Sequence, residues 1–301
     1  MSMGSIDVGR IGIWTWILDN VPSSQAAEYT AEAEELGYGA MWYPEAVSRD
    51  PFVKAALLLR DTSTIKVATG IANIYARDPM TTANAQRTIE EAFPGRFLLG
   101  LGVSHAHMVQ DIRKHDYSRP LSYMRQYLVR MGEAPFFAHG PHDLPEMVLA
   151  ALGPKMLQLS AEATAGAHPY FVPPEHTAVA REVMGPDAAL YPEQMAVLDT
   201  DAASARALAR ESMARYLQMP NYANNLKRLG FEQSDLDGGP GGGPSDRLVD
   251  AIVVWGTAEQ VAARVREHLD AGADHVCVQV LAGSIDATVE GWRILAPHLL
   301  N

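Results

Sequence analysis

A few short stretches of this chain place groups able to do acid–base or anion-binding chemistry beside small or apolar residues. In Gly102-Val-Ser-His-Ala-His107, His105 and His107 offer imidazoles whose ordinary pKa lies near neutrality, suited to proton transfer. Glu45 follows Trp42-Tyr43-Pro44, an apolar setting that can raise a carboxyl pKa into the range useful to an acid or base, although a loop glutamate can equally be solvated. Gly153-Pro-Lys155 reads as a helix start: Pro suits the first helical position, Gly lets a ligand approach the backbone, and the free N–H groups with Lys155 nearby favour an anion such as phosphate. An ordinary turn would look the same.

Other patterns exclude chemistry. His105 and His107, with His139 and His142 further on, lack a carboxylate or further histidine at a ligand spacing, so no metal site is expected. Gly100-Leu-Gly102 misses the third glycine of a dinucleotide loop and reads instead as room for a close neighbour. Arg77 and Asp78 before Pro79 read as a helix-entry cap. With no Gly-x-Ser-x-Gly elbow, Walker loop or His-Glu-x-x-His helix, hydrolysis and phosphoryl transfer have no motif, and chemistry must come from a bound cofactor or not at all.

The positioning elements are eight apolar, β-branched or aromatic runs, each followed by a helical pattern. The strands are read at 10–16, 40–44, 65–69, 96–102, 147–152, 168–172, 193–198 and 275–281. Helices follow near 23–36, 51–61, 80–92, 121–131, 154–165 and 177–184. The last inter-strand connection holds more at 202–217, 222–229 and 247–254, and helices at 257–270 and up to about 296 flank the eighth strand. This alternation predicts an α/β fold, a (β/α)₈ TIM barrel with insertions, with a doubly wound sheet as the rival. Residues 1–301 are expected to form one domain, with a flexible Gly/Pro-rich loop at about 232–246 whose Asp237–Pro244 segment is a lid or a surface loop. In a barrel the chemistry lies past the strand ends, which here are Trp14 and Trp16, Pro44-Glu45-Ala46, Gly70-Ile71, Gly102-Val-Ser-His-Ala-His107 with its Ser104 and His105, Gly153-Pro-Lys155 and Val172-Pro-Pro-Glu175. Trp14, Trp16, Tyr75 and Phe171 are expected to give a pocket an aromatic surface.

A net charge of −12 with no basic run argues against a nucleic-acid partner, and none is expected. No apolar run approaches a membrane span, and the start Met1–Arg10 lacks a signal-peptide core, so no membrane partner and a soluble protein are expected. The single Cys277 sits in an apolar run and reads as a buried core residue of a cytoplasmic protein. Abundant alanine and arginine hint at a GC-rich bacterial genome.

Taken in order, Gly9-Arg-Ile-Gly-Ile-Trp-Thr15, Leu36-Gly-Tyr-Gly-Ala-Met-Trp-Tyr-Pro-Glu45, Ala68-Thr-Gly-Ile-Ala-Asn-Ile-Tyr-Ala-Arg-Asp-Pro79, Pro94-Gly-Arg-Phe-Leu-Leu-Gly-Leu-Gly-Val-Ser104 and Ala271-Gly-Ala-Asp-His-Val276 resemble the bacterial luciferase-like monooxygenase superfamily. More narrowly they resemble its actinobacterial branch of oxidoreductases that use the deazaflavin coenzyme F420. The resemblance implies a TIM barrel, usually a homodimer, with the deazaflavin across its mouth and a non-proline cis peptide at Gly70-Ile71 behind the ring. It implies coenzyme contacts from Trp14, Glu45, Ala46, Gly70, Ile71, Ser104, Leu152, Gly153, Pro154 and Lys155. Hydride transfer between the deazaflavin C5 and a small organic substrate is implied, with His105 or Glu45 managing a proton. Sugar-phosphate dehydrogenases of this branch carry a histidine and a glutamate where Ala46 and His105 stand, which argues against glucose-6-phosphate chemistry. The alternatives are an FMN-dependent monooxygenase on the same scaffold and a cofactor-free barrel.

Overall fold

The computed structural model describes residues 6–300. Residues 1–5, which belong to the start read as leader-free, and Asn301 lie outside that range. The first half of the fold alternates β1 (Ile11–Trp14), α1 (Ser23–Glu35), β2 (Ala40–Tyr43), α2 (Pro51–Arg60), β3 (Lys66–Thr69), β4 (Ala72–Asn73), α3 (Pro79–Ala92) and β5 (Phe97–Gly102). Then come α4 (Pro120–Gly132), β6 (Met147–Leu149), α5 (Pro154–Ala163), β7 (Gly166–Ala167), α6 (Pro174–Met184), β8 (Ala189–Leu190) and β9 (Glu193–Val197). Helices α7 (Ala202–Leu217), α8 (Pro220–Arg228), α9 (Gln233–Asp237) and α10 (Asp246–Ile252) precede β10 (Val253–Trp255), α11 (Ala258–Asp270), β11 (Val276–Val280) and α12 (Ile285–Leu299). Asp50 and Asp78 cap α2 and α3 ahead of a proline at the first helical position, so Asp78 does serve as the cap read from the sequence.

Every strand pairing is parallel, in the order β11, β1, β2, β3, β5, β6, β7. The sheet closes through one continuous stretch, residues 189–197: its first half pairs with β7 and its second half with β11. Between the halves, Tyr191 donates to the Ala167 carbonyl and Glu193 to that of Pro169, while Cys277 donates to that of Pro192. The protein is thus an α/β barrel with helices outside. Strand side chains alternate in period two. Ile11, Ile13, Met41, Tyr43, Phe97 and Leu99 face the helices, whereas Trp14, Trp42, Ala68, Leu98, Val148 and Cys277 plug the interior.

Two local readings change. The sixth strand is Gly166–Ala167 rather than 168–172: beyond it the ladder keeps only single bonds at His168 and Pro169, proline has no N–H to continue it, and at Phe171 the chain turns at φ 62°. The helix expected at 247–254 stops at Ile252, and Val253–Trp255 becomes a short strand beside β9. The stretch around 232–246 holds α9 and a 3-10 turn over Pro240–Gly242, joined by bonds such as Ser245 N–H to the Asp235 carbonyl. Helices α7 to α10 form a lobe with its own apolar core, where Met213, Leu226, Leu248 and Ile252 meet Met195 and Val197 of β9.

Candidate active site

At the carboxyl end of the barrel lies a cavity of about 520 Å³, within the range of small-molecule sites. Its wall gathers the strand-end residues Trp14, Trp16, Glu45, Ala46, Gly70 and Ile71. Ser104, His105, Leu152 and Gly153 complete the set brought together. Pro154 and Lys155 are exposed beyond it, and Met156 lines the cavity instead. Tyr75 and Phe171 do not line it: Tyr75 stacks on Tyr123 at 4.6 Å, and Phe171 packs against Tyr216 and Tyr222. None of residues 237–244 reaches it.

The wall at the end of β3 is built on small residues. The Gly70-Ile71 peptide is cis. A Cβ on Gly70 would stand 2.5 Å from Trp14 Nε1 and 2.9 Å from His168 Nε2, so only glycine fits there. Gly100 and Gly102 make the room read from the sequence: added Cβ atoms would meet the Thr69 carbonyl at 2.0 Å and the Ile71 side chain at 2.5 Å.

Glu45 does not sit in an apolar pocket. Its Oε1 and Oε2 accept from the Arg77 guanidinium at 2.8 and 2.9 Å, Oε2 also accepts the Asn73 N–H at 2.7 Å, and Arg113 stands 3.7 Å away. Its own backbone N–H donates to the Ile71 carbonyl at 3.0 Å. The residue therefore staples segment 71–73 to the end of β2 as an ion-paired carboxylate.

His105 lies on the loop after β5, and its Nδ1 must donate to Asn221 Oδ1 at 3.2 Å, because that amide oxygen can only accept. Nε2 is left as the basic nitrogen. Burial lowers the His105 pKa from the ordinary imidazole range, which keeps the ring neutral. The His105 and His107 rings lie 6.1 Å apart, and no group of three or more metal-ligating side chains occurs among the described residues.

Beneath the wall, His168 and Trp14 are 1% and 2% exposed. His168 Nδ1–H donates to the Tyr191 carbonyl at 2.7 Å, so His168 Nε2 faces Gly70 as an unpaired acceptor, while Trp14 Nε1 is an unpaired donor. Burial lowers the His168 pKa to about 4.

Sequence reading missed the far side of the cavity, supplied by the lobe: Arg215 and Tyr216 at the end of α7, and Met219, Asn221 and Tyr222 around the start of α8. Tyr170, after β7, joins them through its hydroxyl, 2.7 Å from that of Tyr216. No local motif marks these residues, since an amphipathic helix end looks alike whether it faces a cavity or solvent. Arg228, also missed, lies against Gly153: a Cβ there would stand 3.3 Å from its Nη1.

Comparison with known proteins agrees with this architecture. Residues 10–275 match the model of the luciferase-like monooxygenase family. The 5,10-methylenetetrahydromethanopterin reductase of Methanolobus tindarius is 26% identical over 318 residues, covering 90% of this chain and 94% of that protein. Among solved structures, an F420-dependent secondary alcohol dehydrogenase in complex with an F420-acetone adduct superposes with TM-score 0.76 at 13% identity, covering 96% of this chain and 98% of the other. The oxygenating component of the 3,6-diketocamphane monooxygenase from Pseudomonas putida, in complex with FMN, gives 0.69 at 15% identity, covering 95% and 96%. With the match running through the barrel from β1 to the residue before β11, this chain is an enzyme of the luciferase-like monooxygenase family.

Proposed function

We propose that the protein is a coenzyme F420-dependent oxidoreductase acting on a small organic substrate. The observation that carries this reading is the barrel-mouth cavity, walled by Gly70-Ile71 and Ala46 on one side and opening onto Gly153 at the start of α5 on the other. The residues fit a flat tricyclic ring: small apolar side chains, Ala46, Ile71, Val103 and Ala150, line a slot. Gly153 leaves the first turn of α5 bare beside Arg228 and Lys155, as a phosphate requires. When bound, F420 supplies a hydride donor or acceptor at C5.

The chain's own residues then divide the work. His105 holds or moves the proton at Nε2, its pKa lowered by partial burial and its tautomer fixed by Asn221. Glu45 works through Arg77 and the Asn73 N–H to hold the Gly70-Ile71 wall in place rather than as an acid or base. Arg228 and Lys155 share the coenzyme's phosphate with the α5 N-terminus.

Titration of the purified protein with F420 and with FMN, read by tryptophan fluorescence, tests the reading, because Trp14 and Trp16 line the cavity. F420 should quench with saturation. Tight FMN binding with no F420 response would overturn the F420 reading in favour of an FMN enzyme such as the alternative FMN-dependent monooxygenase. Arg228→Ala together with Lys155→Ala should weaken F420 binding by about a hundredfold, about tenfold for each lost charge-assisted contact.

A further inference from the structure

We infer that the substrate carries a carboxylate on an apolar or aromatic body, and that Arg215 on the lobe is the residue that selects it. The inference rests on reading the cavity as an oxidoreductase site.

The chain carries a net charge of −12, yet the one charge on the cavity lining without an ion-pair partner is positive. Its one lining carboxylate, Glu45, is neutralised where it stands: it shares Arg77 with Asp50 and has Arg113 at 3.7 Å, so two carboxylates face two guanidinium groups and the cluster carries no surplus charge. Arg215 is the remaining charged group on the lining, and among the described residues it makes no ion pair. A positive charge left uncompensated in a low-dielectric mouth attracts anions over the repulsion of the distant acidic surface.

Arg215 is also held in place. Its guanidinium lies 4.6 Å from the centre of the Trp16 ring and 4.7 Å from that of Tyr216, between two aromatic surfaces. Arg215 Nη2 donates to the Tyr216 hydroxyl oxygen at 2.5 Å. The Tyr170 hydroxyl donates to Gln279 Oε1 at 2.8 Å, so the Tyr216 hydroxyl must be the donor in its 2.7 Å bond to Tyr170. Every hydroxyl proton in this chain of bonds is spent pointing away from Arg215. The tyrosines therefore orient the arginine without competing for the ligand, and its remaining N–H donors stay for an acceptor-only group. A planar carboxylate matches a planar guanidinium better than a neutral hydroxyl or amide does. The flanking Trp16, Tyr170 and Tyr222 suit an apolar or aromatic body.

The matched pair 2-naphthoate and 2-naphthamide, equal in shape and different in charge, tests the inference by isothermal titration calorimetry on the purified protein with and without F420. Naphthoate should bind at least about tenfold tighter, the worth of one charge-assisted contact. Arg215→Gln should erase that preference while leaving naphthamide binding and F420 binding, read from the coenzyme's own fluorescence, as in the parent. Arg215→Lys, which keeps the charge, should retain a reduced preference. Naphthoate binding no tighter than naphthamide, or a preference that survives Arg215→Gln, overturns the inference. So does an Arg215→Gln protein that loses F420 and keeps naphthoate, since the arginine would then serve the coenzyme. Failure of F420 to bind a protein that still prefers naphthoate would sink the coenzyme reading and leave this one standing.

Discussion

Glu45 and Arg77 show how a residue can be found in the sequence for the wrong reason. Its place after Trp42-Tyr43-Pro44 suggested a carboxyl in apolar surroundings, and the partner that changes its role stands thirty-two positions away at the mouth of α3. Only the folded chain joins them. The Glu45 side chain is 5% exposed and that of Arg77 12%, so the pair is screened little by solvent. Arg77→Met should leave a buried carboxylate unpaired and cost about 3 kcal/mol, measured as a fall in the urea midpoint. A loss of a few tenths of a kcal/mol would mean that Arg113 and the Asn73 N–H suffice to hold Glu45.

At the scale of elements, the strands of the barrel were legible because each is buried on both faces and reads as an apolar run closed by glycine, proline or aspartate. The Gly70-Ile71 wall, the histidine loop after β5 and the bare glycine before α5 followed from where those runs stop. What could not be read was any element defined by a distant partner. Val253–Trp255 looks like the end of α10 until β9 is placed beside it, and Gly166–Ala167 is too short and too small to announce a strand. The lobe's contribution to the cavity was hidden for the same reason. Its helix α8 presents Asn221 and Tyr222 to the cavity and Leu226, 0% exposed, to the lobe core. Leu226→Ala should cost about 3 kcal/mol through the hole it leaves, seen in the urea midpoint. It should also weaken ligand binding on the lobe side, although Leu226 touches no ligand. Unchanged binding in a destabilised protein would show that α8 keeps its place without this anchor.

The whole molecule carries its buried titratable groups in opposite senses, and they set a pH window. Burial lowers the pKa of His168 and His275 to about 4 and that of His268 to about 3, below the ordinary value of 6.5. Their contribution to stability is present above pH 6.5 and is lost as the pH falls from there toward 4, since the unfolded chain takes up protons that the folded one refuses. Glu193, 1% exposed on β9, is shifted the other way: burial raises its pKa to about 8. Its contribution is present below pH 4.5 and is lost as the pH rises toward 8. Three histidines outweigh Glu193 on the acid side, and on the alkaline side Glu193 acts together with Glu90, whose pKa burial also raises. Thermal stability should therefore peak at about pH 6.5. Glu193→Gln should flatten the decline between pH 6.5 and 8 and leave the acid decline in place; an alkaline limb unchanged by that substitution would remove Glu193 from the account.

The separate apolar core of the α7–α10 lobe bears on how this enzyme can change. Strand ends of the barrel are locked by parallel pairings on both sides, and a substitution there is felt around the ring. The residues facing the cavity from Arg215 to Tyr222 stand on helices whose interior packing is largely their own. Mutations in that cassette can alter which molecules enter without disturbing Gly70, Ala46 or Gly153. Selection for a new substrate would thus leave its record in α7 and α8, while the barrel ends stay as they are.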